Sequence, residues 1–344
     1  MSAYAIPDER YAIKLDAMEN PYSWPEAMVQ AWLQRLQGVG VNRYPDPAAR
    51  ELTASLRQQL ELPSAMGLIL GNGSDELIQL LALTLGGAGR VVLAPEPGFV
   101  MYRMTAQFAA MAYVAVPLTT GFELDLDAML AAIAHHQPAL IYLAYPNNPT
   151  GNLFAEEEME AILAAAPGWV VVDEAYHPFA GRSWVKRLGE FPNLLLLRTL
   201  SKMGLAGLRL GMLAGPQALV AEVNKVRLPY NINTLTQESA LFALEHQAEF
   251  DRQTALIREQ RQWLATALHQ LPGVTPYPSA ANFILLRMAP GQADMVAEGL
   301  KRAGTLIKNL SPVGGLLANC LRITVGTPEE NSTLMTQLRA LVQG

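Results

Sequence analysis

The sequence predicts an α/β fold, with a large domain whose mainly parallel sheet lies between helices and a smaller α+β domain. Short, nearly continuous apolar runs alternate with turns and longer helical patterns, which is typical of parallel strands covered on both faces. After about residue 240 this rhythm gives way to a long helical pattern and short strands. The chain has 344 residues, of which 51% are hydrophobic and 16% charged, so it is long and apolar enough to bury a core. A disordered or low-complexity chain is therefore excluded.

Six apolar runs predict the strands of the large domain. They are GLILGN (67–72), RVVLAPEP (90–97), ALIYLAYP (139–146), WVVVDEAY (169–176), NLLLLRTLSK (193–202) and RLGMLAG (209–215). Polar or charged residues stand at the end of each run. Because ligands of open parallel sheets bind beyond the carboxyl ends of the strands, these residues are the first candidates for a functional site.

The second part of the chain predicts a connecting helix and a smaller unit. Apolar residues recur at helical spacing over 239–271, which indicates a single helix of roughly 30 residues. Short strands are expected at 279–288, 305–310 and 319–326, with a helix ending near Ala303 between the first two. The resulting division is an N-terminal arm at 1–20, a small domain at 21–40 and 241–344, and a large domain at 41–240.

Charge and cysteine content exclude several classes of function. The formal net charge is -6, so no global cationic field attracts nucleic acid or an anionic membrane. One cysteine, Cys320, cannot close an intrachain disulfide, and five scattered histidines offer no metal-ligand cluster. The N-terminal residues lack an apolar export segment, and no run approaches the ~18 apolar residues of a membrane helix. We expect a globular cytoplasmic protein without a metal centre.

Lys202 is the first candidate for chemistry. It follows a buried strand, and its neighbours Ser201, Gly204, Gly207 and Arg209 are the small, hydroxyl and cationic groups that surround a phosphate. Burial disfavours an ammonium ion, so a lysine at this place offers a neutral amine that attacks a carbonyl carbon. The alternative is a solvated surface amine.

Asp173 and Asn148 also follow predicted strands. A carboxylate at the end of a buried strand needs a partner that offsets its desolvation. A protonated ring nitrogen would be a strong partner for Asp173, and a helix N-terminus capped by its side chain is the alternative. Asn148 stands between prolines that fix its backbone, so its amide either points at a ligand oxygen or belongs to an ordinary turn.

The segment GNGSDE (71–76) precedes a helical pattern and is a candidate anion site. Ser74 or Asp75 is expected to cap the helix, leaving backbone N–H groups free to hold a phosphate. A purely structural cap is the alternative. The segment lacks the third glycine of a dinucleotide fingerprint, which disfavours a nicotinamide dehydrogenase.

Seven motifs together resemble those of fold type I pyridoxal-phosphate aminotransferases, and among these the histidinol-phosphate aminotransferase family. In chain order they are KLDAMENPY, NRYPDP, GNGSDELI, YPNNPTG, VVVDEAY, RTLSKMGLAGLRLG and CLRITVGT. They extend over nearly the whole chain. The resemblance implies pyridoxal phosphate as cofactor and reversible amino transfer between histidinol phosphate and 2-oxoglutarate, which gives imidazole acetol phosphate and glutamate. It also implies a homodimer with shared active sites.

The resemblance assigns roles around the cofactor ring. Lys202 would anchor the cofactor covalently and then move the proton at the substrate Cα. Asp173 would keep the pyridine nitrogen protonated, while Asn148 and Tyr176 would hydrogen-bond the phenolic oxygen. Phe99 would lie over the ring face.

The resemblance also assigns the anion contacts. The cofactor phosphate would be held by Gly73, Ser74, Asp75, Ser201 and Arg209, with Tyr44 reaching it from the partner subunit. The substrate would be bound by Arg322, Lys308, Asn20 and Tyr22. The guanidinium fork of Arg322 suits both the carboxylate of glutamate and the phosphate-bearing end of histidinol phosphate. Relatives often carry arginine where Lys308 stands, and one more residue between Lys202 and Arg209.

Other functions stay open on the sequence alone. The same scaffold serves transamination of aromatic amino acids and decarboxylation of a phosphorylated amino acid. A non-catalytic regulator that binds the cofactor should carry a DNA-binding segment, and this acidic chain offers none. The dehydrogenase is disfavoured by the glycine pattern described above.

Overall fold

The computed structural model describes residues 11–343, which form two β-sheets and the helices that cover them. The strands in this part of the chain are β1 (Ile13–Leu15), β2 (Met66–Asn72), β3 (Val91–Glu96), β4 (Ala112–Pro117), β5 (Leu140–Ala144), β6 (Trp169–Asp173), β7 (Leu194–Thr199), β8 (Leu210–Pro216), β9 (Val274–Pro276), β10 (Phe283–Met288), β11 (Thr305–Asn309) and β12 (Cys320–Thr324).

The helices alternate with the strands in the first part of the chain and cluster in the second. They are α1 (Glu26–Leu36), α2 (Arg50–Gln59), α3 (Ser74–Leu85), α4 (Val100–Phe108), α5 (Leu126–His136), α6 (Glu156–Ala165), α7 (His177–Ala180), α8 (Gln217–Val226), α9 (Thr234–Glu245), α10 (Gln247–His269), α11 (Ala293–Arg302) and α12 (Pro328–Gln343). None of these helices is both long and apolar enough to cross a membrane.

The larger sheet has the strand order β2-β8-β7-β6-β5-β3-β4 and is mainly parallel. All six predicted strands are confirmed, and the sequence analysis missed only β4, the mostly exposed edge strand. Strand β8 runs antiparallel to both of its neighbours. Residues 200–209 join β7 to β8, and they are too few for a parallel crossover, which needs about a dozen residues or more.

Both faces of this sheet are covered, as the continuous apolar runs predict. Alternate residues of β6 show it: Val170 and Val172 belong to one buried apolar cluster, and Val171 belongs to the cluster on the other face. Strands β2, β3, β5, β6 and β7 run in one direction, so their carboxyl ends meet at one edge. Strand β8 starts at that edge because it runs the other way. The sheet thus brings Asn72, Asp173, Thr199 and Arg209 toward one place.

The smaller sheet has the order β1-β11-β12-β10-β9 and packs against α10, α11 and α12. The strands expected at 279–288, 305–310 and 319–326 are confirmed as β10, β11 and β12. Edge strands β1 and β9 were not predicted. β1 pairs in parallel with β11, so part of the expected arm belongs to this sheet. Residues 1–10 of that arm lie outside the described residues, and the domain boundaries stay a prediction.

The single helix expected at 239–271 is wrong, because the chain breaks it at His246 into α9 and α10. His246 has φ −110° and ψ 28°, outside helical geometry. Its ring stacks on the ring of Phe242, and its Nδ1 lies 2.8 Å from the Phe242 carbonyl oxygen. Helical periodicity did not reveal the break, because both helices bury apolar residues in the same spacing on either side of it.

Candidate active site

Lys202 lies on a 3-10 turn, Ser201–Met203, directly after β7. Its side chain is largely withdrawn from water, and its Nζ donates a hydrogen bond to the Ala17 carbonyl oxygen at 3.3 Å. Burial, with a further contribution from the cation of Arg322, lowers the pKa of Lys202 from its ordinary value of 10.5 to about 8. The neutral amine, which a nucleophile or base requires, is therefore far more populated near physiological pH than in a lysine exposed to water.

Asp173 ends β6 with a carboxyl group that is buried, since the residue is 4% exposed. Its Oδ2 accepts a hydrogen bond from Tyr102 Oη at 2.6 Å, and its Oδ1 accepts one from the Ala175 N–H at 3.0 Å. Burial raises the pKa of Asp173 to about 6, although both hydrogen bonds oppose that rise. The alternative of a helix cap is not realised, because α7 begins at His177 and Tyr176 precedes it.

Asn148 connects two other predicted residues. Its Nδ2 donates to Tyr176 Oη at 3.1 Å, and its Oδ1 accepts from Arg322 Nη1 at 2.5 Å. The Tyr176 ring centroid lies 5.8 Å from Lys202 Nζ. The amide of Asn148 therefore points into a polar cluster with these side chains, which an ordinary surface turn would not require.

The start of α3 meets Arg209 beside this cluster. Gly73, not Ser74 or Asp75, is the residue that precedes the helix, so the predicted side-chain cap is wrong. Gly73 has φ +80°, and a Cβ there would lie 2.6 Å from Arg209 Nη2, so the close approach of the guanidinium requires glycine. Arg209 Nη2 is 3.2 Å from Asp75 Oδ2. The first-turn N–H groups of α3, without a side-chain cap, and this guanidinium are suited to an anion.

One cavity brings most of the predicted residues together. The predicted residues that line it are Ser74, Asp75, Phe99, Asn148, Asp173, Tyr176, Ser201, Lys202 and Arg209. Its lining includes an amine, a buried carboxylate, and hydrogen-bond donors for an anion. This arrangement suits a ligand that carries a carbonyl group, a cationic ring and an anionic group.

A second, larger cavity of about 820 Å³ adjoins the first. Met18, Phe99 and Asn148 line both. Lys308 and Arg322 line the second cavity and stand directly opposite each other on β11 and β12, so their side chains emerge from the same face of the sheet. Two neighbouring cations make this cavity suited to an anion.

Arg322 is held in place at both ends of its guanidinium. Besides the bond to Asn148, its Nη2 donates to the Asp16 carbonyl oxygen at 3.0 Å. Its guanidinium carbon lies 5.4 Å from the centroid of the Phe283 ring. The residue is buried, so its charge acts in a place where water screens it little.

Four predicted residues line neither cavity: Gly73, described above, and Tyr44, Asn20 and Tyr22. Tyr44 is 81% exposed, and its ring stacks on that of Tyr230 at 4.5 Å. Asn20 uses its Nδ2 to bond the Met203 carbonyl and Gln253, and its Oδ1 accepts from the Tyr22 N–H. Asn20 thus holds the chain next to Met203, the neighbour of Lys202, and Tyr22 packs against the apolar cluster that includes Tyr176. Roles for these residues in binding cofactor or substrate stay predictions.

The sequence analysis missed Tyr102 and Met18. Tyr102 follows Phe99 by three residues at the start of α4, so helical spacing could have placed both rings on one face. Met18 lines both cavities and has φ +54°, and nothing in the sequence marks it. Within residues 11–343 no group of three or more His, Cys, Asp or Glu side chains could hold a metal ion.

Comparisons with known proteins cover nearly all of the chain. The model of the family described as aminotransferase class I and II matches residues 11–338. A curated protein of Nitrosococcus oceani, named histidinol-phosphate aminotransferase 2, is 56% identical over 340 residues, which are 99% of this chain and 94% of that protein. One of the same name from Cupriavidus pinatubonensis is 52% identical over 100% of this chain and 94% of its own.

A solved structure agrees with these relatives. The histidinol-phosphate aminotransferase of Sinorhizobium meliloti, determined in complex with pyridoxal-5'-phosphate, superposes with a TM-score of 0.89 at 25% identity. The match covers 99% of this chain and 96% of that one.

Proposed function

Because the chain belongs to the aminotransferase class I and II family, as the matched family model and the curated relatives show, we propose that it is a histidinol-phosphate aminotransferase of histidine biosynthesis. It transfers the amino group of histidinol phosphate to 2-oxoglutarate, giving imidazole acetol phosphate and glutamate. The observation that carries this choice of substrate is the pair of cations, Arg322 and Lys308, that stand opposite each other in the cavity beside Lys202.

The residues of the first cavity fit pyridoxal phosphate. Asp173 is a buried carboxylate with a raised pKa, and no lysine or arginine of the described chain forms an ion pair with it. A protonated pyridine nitrogen would supply the missing positive charge. The start of α3 with Gly73 and Arg209 would hold the phosphate, and Phe99 would cover one face of the ring.

Pyridoxal phosphate, when bound, withdraws electrons from the substrate carbon that carries the amino group. Lys202 would anchor the cofactor, and its Nζ would then take the proton from the substrate Cα and deliver it to C4′ of the cofactor. A pKa of about 8 suits both steps, since the amine is neutral often enough to accept the proton and basic enough to hold it.

Asp173, Asn148 and Tyr176 orient and polarise the ring. Asp173 keeps positive charge at the ring nitrogen, which lowers the energy of negative charge developing at the substrate carbon. Asn148 Nδ2 donates to Tyr176 Oη, and the Tyr176 ring lies beside Lys202 Nζ, so these two polar groups would hydrogen-bond the phenolic oxygen of the cofactor.

The second cavity binds the far end of each substrate. The phosphate of histidinol phosphate and a carboxylate of glutamate are both anions, and the two substrates would use the site in turn. The fork of Arg322 provides paired N–H donors for either anion, and Lys308 adds a point charge beside it.

The active form is a homodimer in the cytoplasm. Tyr44 is exposed on its own subunit and lines neither cavity there, which fits a role at the phosphate site of a partner subunit. The cytoplasmic location is supported by the single cysteine, which is buried and unpaired, because a reducing compartment needs no disulfide.

A product assay tests the proposed reaction. The purified holoenzyme is given histidinol phosphate and 2-oxoglutarate, and glutamate is measured. Phenylalanine replaces histidinol phosphate in a parallel assay, and carbon dioxide is measured with phosphothreonine. Glutamate formed with histidinol phosphate at much higher kcat/KM than with phenylalanine supports the proposal. A preference for phenylalanine would identify an aromatic transaminase, and released carbon dioxide a decarboxylase.

A further inference from the structure

Tyr102 is the side chain that hydrogen-bonds the Asp173 carboxylate. It lies on the first turn of α4, is 1% exposed, and donates its hydroxyl to Asp173 Oδ2 at 2.6 Å. An ionised carboxylate only accepts hydrogen bonds, so the phenol is the donor in this pair. The bond is short and shielded from water, which makes it one of the stronger hydrogen bonds of a protein interior.

The Tyr102 ring has little freedom to move its hydroxyl elsewhere. The ring stacks on Tyr142 with centroids 4.2 Å apart and planes 2° from parallel. Phe99 meets it edge-on at 5.6 Å and 86°. A ring held on two sides fixes where its hydroxyl lies, and the hydroxyl in turn fixes one oxygen of Asp173.

The surroundings of Asp173 disfavour its ionised form, which the hydrogen bond from Tyr102 stabilises. Burial, the nearby carboxylates of Asp75 and Glu174, and the absence of a described ion pair all disfavour the ionised form. Within residues 11–343 the carboxylate accepts hydrogen bonds only from the Tyr102 hydroxyl and the Ala175 N–H. The Ala175 N–H is a backbone donor only two residues from Asp173. Tyr102, on α4, is therefore the side-chain donor that reaches Asp173 from another element.

We propose that Tyr102 is a positioning residue that keeps the proton of the cofactor ring on its nitrogen by holding Asp173 ionised and correctly oriented. Without the phenol, the carboxylate becomes more basic, and the shared proton moves from the ring nitrogen toward Asp173. The total number of protons in the pair does not change. The inference rests on the role proposed above for Asp173 and extends it to a residue outside the predicted site.

The test is nitrogen-15 NMR of holoenzymes that carry pyridoxal phosphate labelled at the ring nitrogen, because that chemical shift reports where the proton lies. Tyr102→Phe removes the hydroxyl and keeps the ring. Tyr142→Phe is the matched control, since it removes an equally buried hydroxyl from the stacked ring, and that hydroxyl bonds the Ile78 carbonyl instead. Asp173→Asn marks the signal expected when the carboxylate charge is absent.

We expect Tyr102→Phe to move the nitrogen signal toward that of a neutral pyridine at constant pH. Tyr142→Phe should leave it at the wild-type position. The dissociation constant of the cofactor should also rise, by about tenfold for each pKa unit that the Asp173 carboxyl group moves above the assay pH, because a protonated carboxyl group no longer pairs with the ring nitrogen; the control should change little. Incorporation of 3,5-difluorotyrosine at position 102 keeps the fold and strengthens the donor, so the signal should move the opposite way.

An unchanged signal in both Tyr102→Phe and the fluorinated protein would overturn the inference. Equal displacement by Tyr102→Phe and Tyr142→Phe would also overturn it, because repacking of the ring stack would then be the cause. If Asp173→Asn moves the signal and Tyr102→Phe does not, only the role of Tyr102 fails. If Asp173→Asn leaves the signal unmoved, the proposed role of Asp173 fails, and the inference about Tyr102 fails with it.

Discussion

Replacing Lys202 by methionine should remove activity and, at the same time, stabilise the protein without its cofactor. Burial lowers the pKa of Lys202 from 10.5 to about 8, so the folded chain holds the ammonium proton less tightly than the unfolded chain does. A difference of about 2.5 pKa units corresponds to about 3 kcal/mol of destabilisation at neutral pH. Methionine fills similar space without a charge, so Lys202→Met should recover up to that amount.

The sign of the pH dependence follows from the same shift. The unfolded state binds more protons between pH 8 and pH 10.5, so the wild type gains stability as pH rises through this range. The cost of burying the ammonium is fully present below pH 8 and falls to about half its neutral value, about 1.5 kcal/mol, near pH 9.5. The excess free energy of unfolding of Lys202→Met over the wild type should therefore fall by the same fraction between neutral pH and pH 9.5.

Urea unfolding of cofactor-free protein at pH 7 and pH 9.5, at one protein concentration, measures this difference. Lys225→Met is the control, because Lys225 lies exposed on α8 and its substitution should change the free energy of unfolding little. An advantage of Lys202→Met that is absent at pH 7, or that does not shrink at pH 9.5, would refute the argument that burial sets the state of this amine.

Three further predictions concern the proposed roles. Arg322→Lys keeps the charge and loses paired hydrogen bonds, so both half-reactions should slow about ten- to a hundredfold. Lys308→Ala should slow the histidinol-phosphate half-reaction more than the glutamate half-reaction. Stopped-flow spectra of the cofactor measure the two half-reactions separately. Asp173→Asn should slow proton abstraction from the substrate Cα about a hundredfold or more in single-turnover experiments, and a wild-type rate would remove Asp173 from the mechanism. Mixed dimers of inactive Tyr44→Ala and Lys202→Ala subunits should regain activity in one of their two sites, and proven heterodimers without activity would place Tyr44 within its own subunit.

The sequence predicted the parts of the fold in which local pattern and burial agree. The apolar runs of β2, β3, β5, β6, β7 and β8 are strands because residues covered on both faces must be apolar throughout. The direction of β8 was not in that pattern, since apolar content is the same for parallel and antiparallel strands. It follows instead from the short connection between Thr199 and Leu210. The sequence analysis missed the helix break at His246 for a similar reason, because the apolar spacing continues across it.

The sequence could predict a site residue where that residue directly follows a strand, because the end of the strand places it at the edge of the sheet. Lys202, Asp173 and Asn148 each follow a strand, and the structure brings all three to one cavity. Contacts between distant parts of the chain were not predictable. The carbonyls of Asp16 and Ala17 accept hydrogen bonds from Arg322 and Lys202, and such backbone contacts depend on the path of the chain rather than on side-chain type.

The most direct test of the central claim follows the cofactor spectrum of the holoenzyme through one complete cycle. Histidinol phosphate alone should convert the cofactor from its aldehyde-derived form to its amine form, and 2-oxoglutarate added afterwards should restore the first spectrum with formation of one glutamate per site. Conversion by phenylalanine but not by histidinol phosphate, or no conversion by either, would contradict the account.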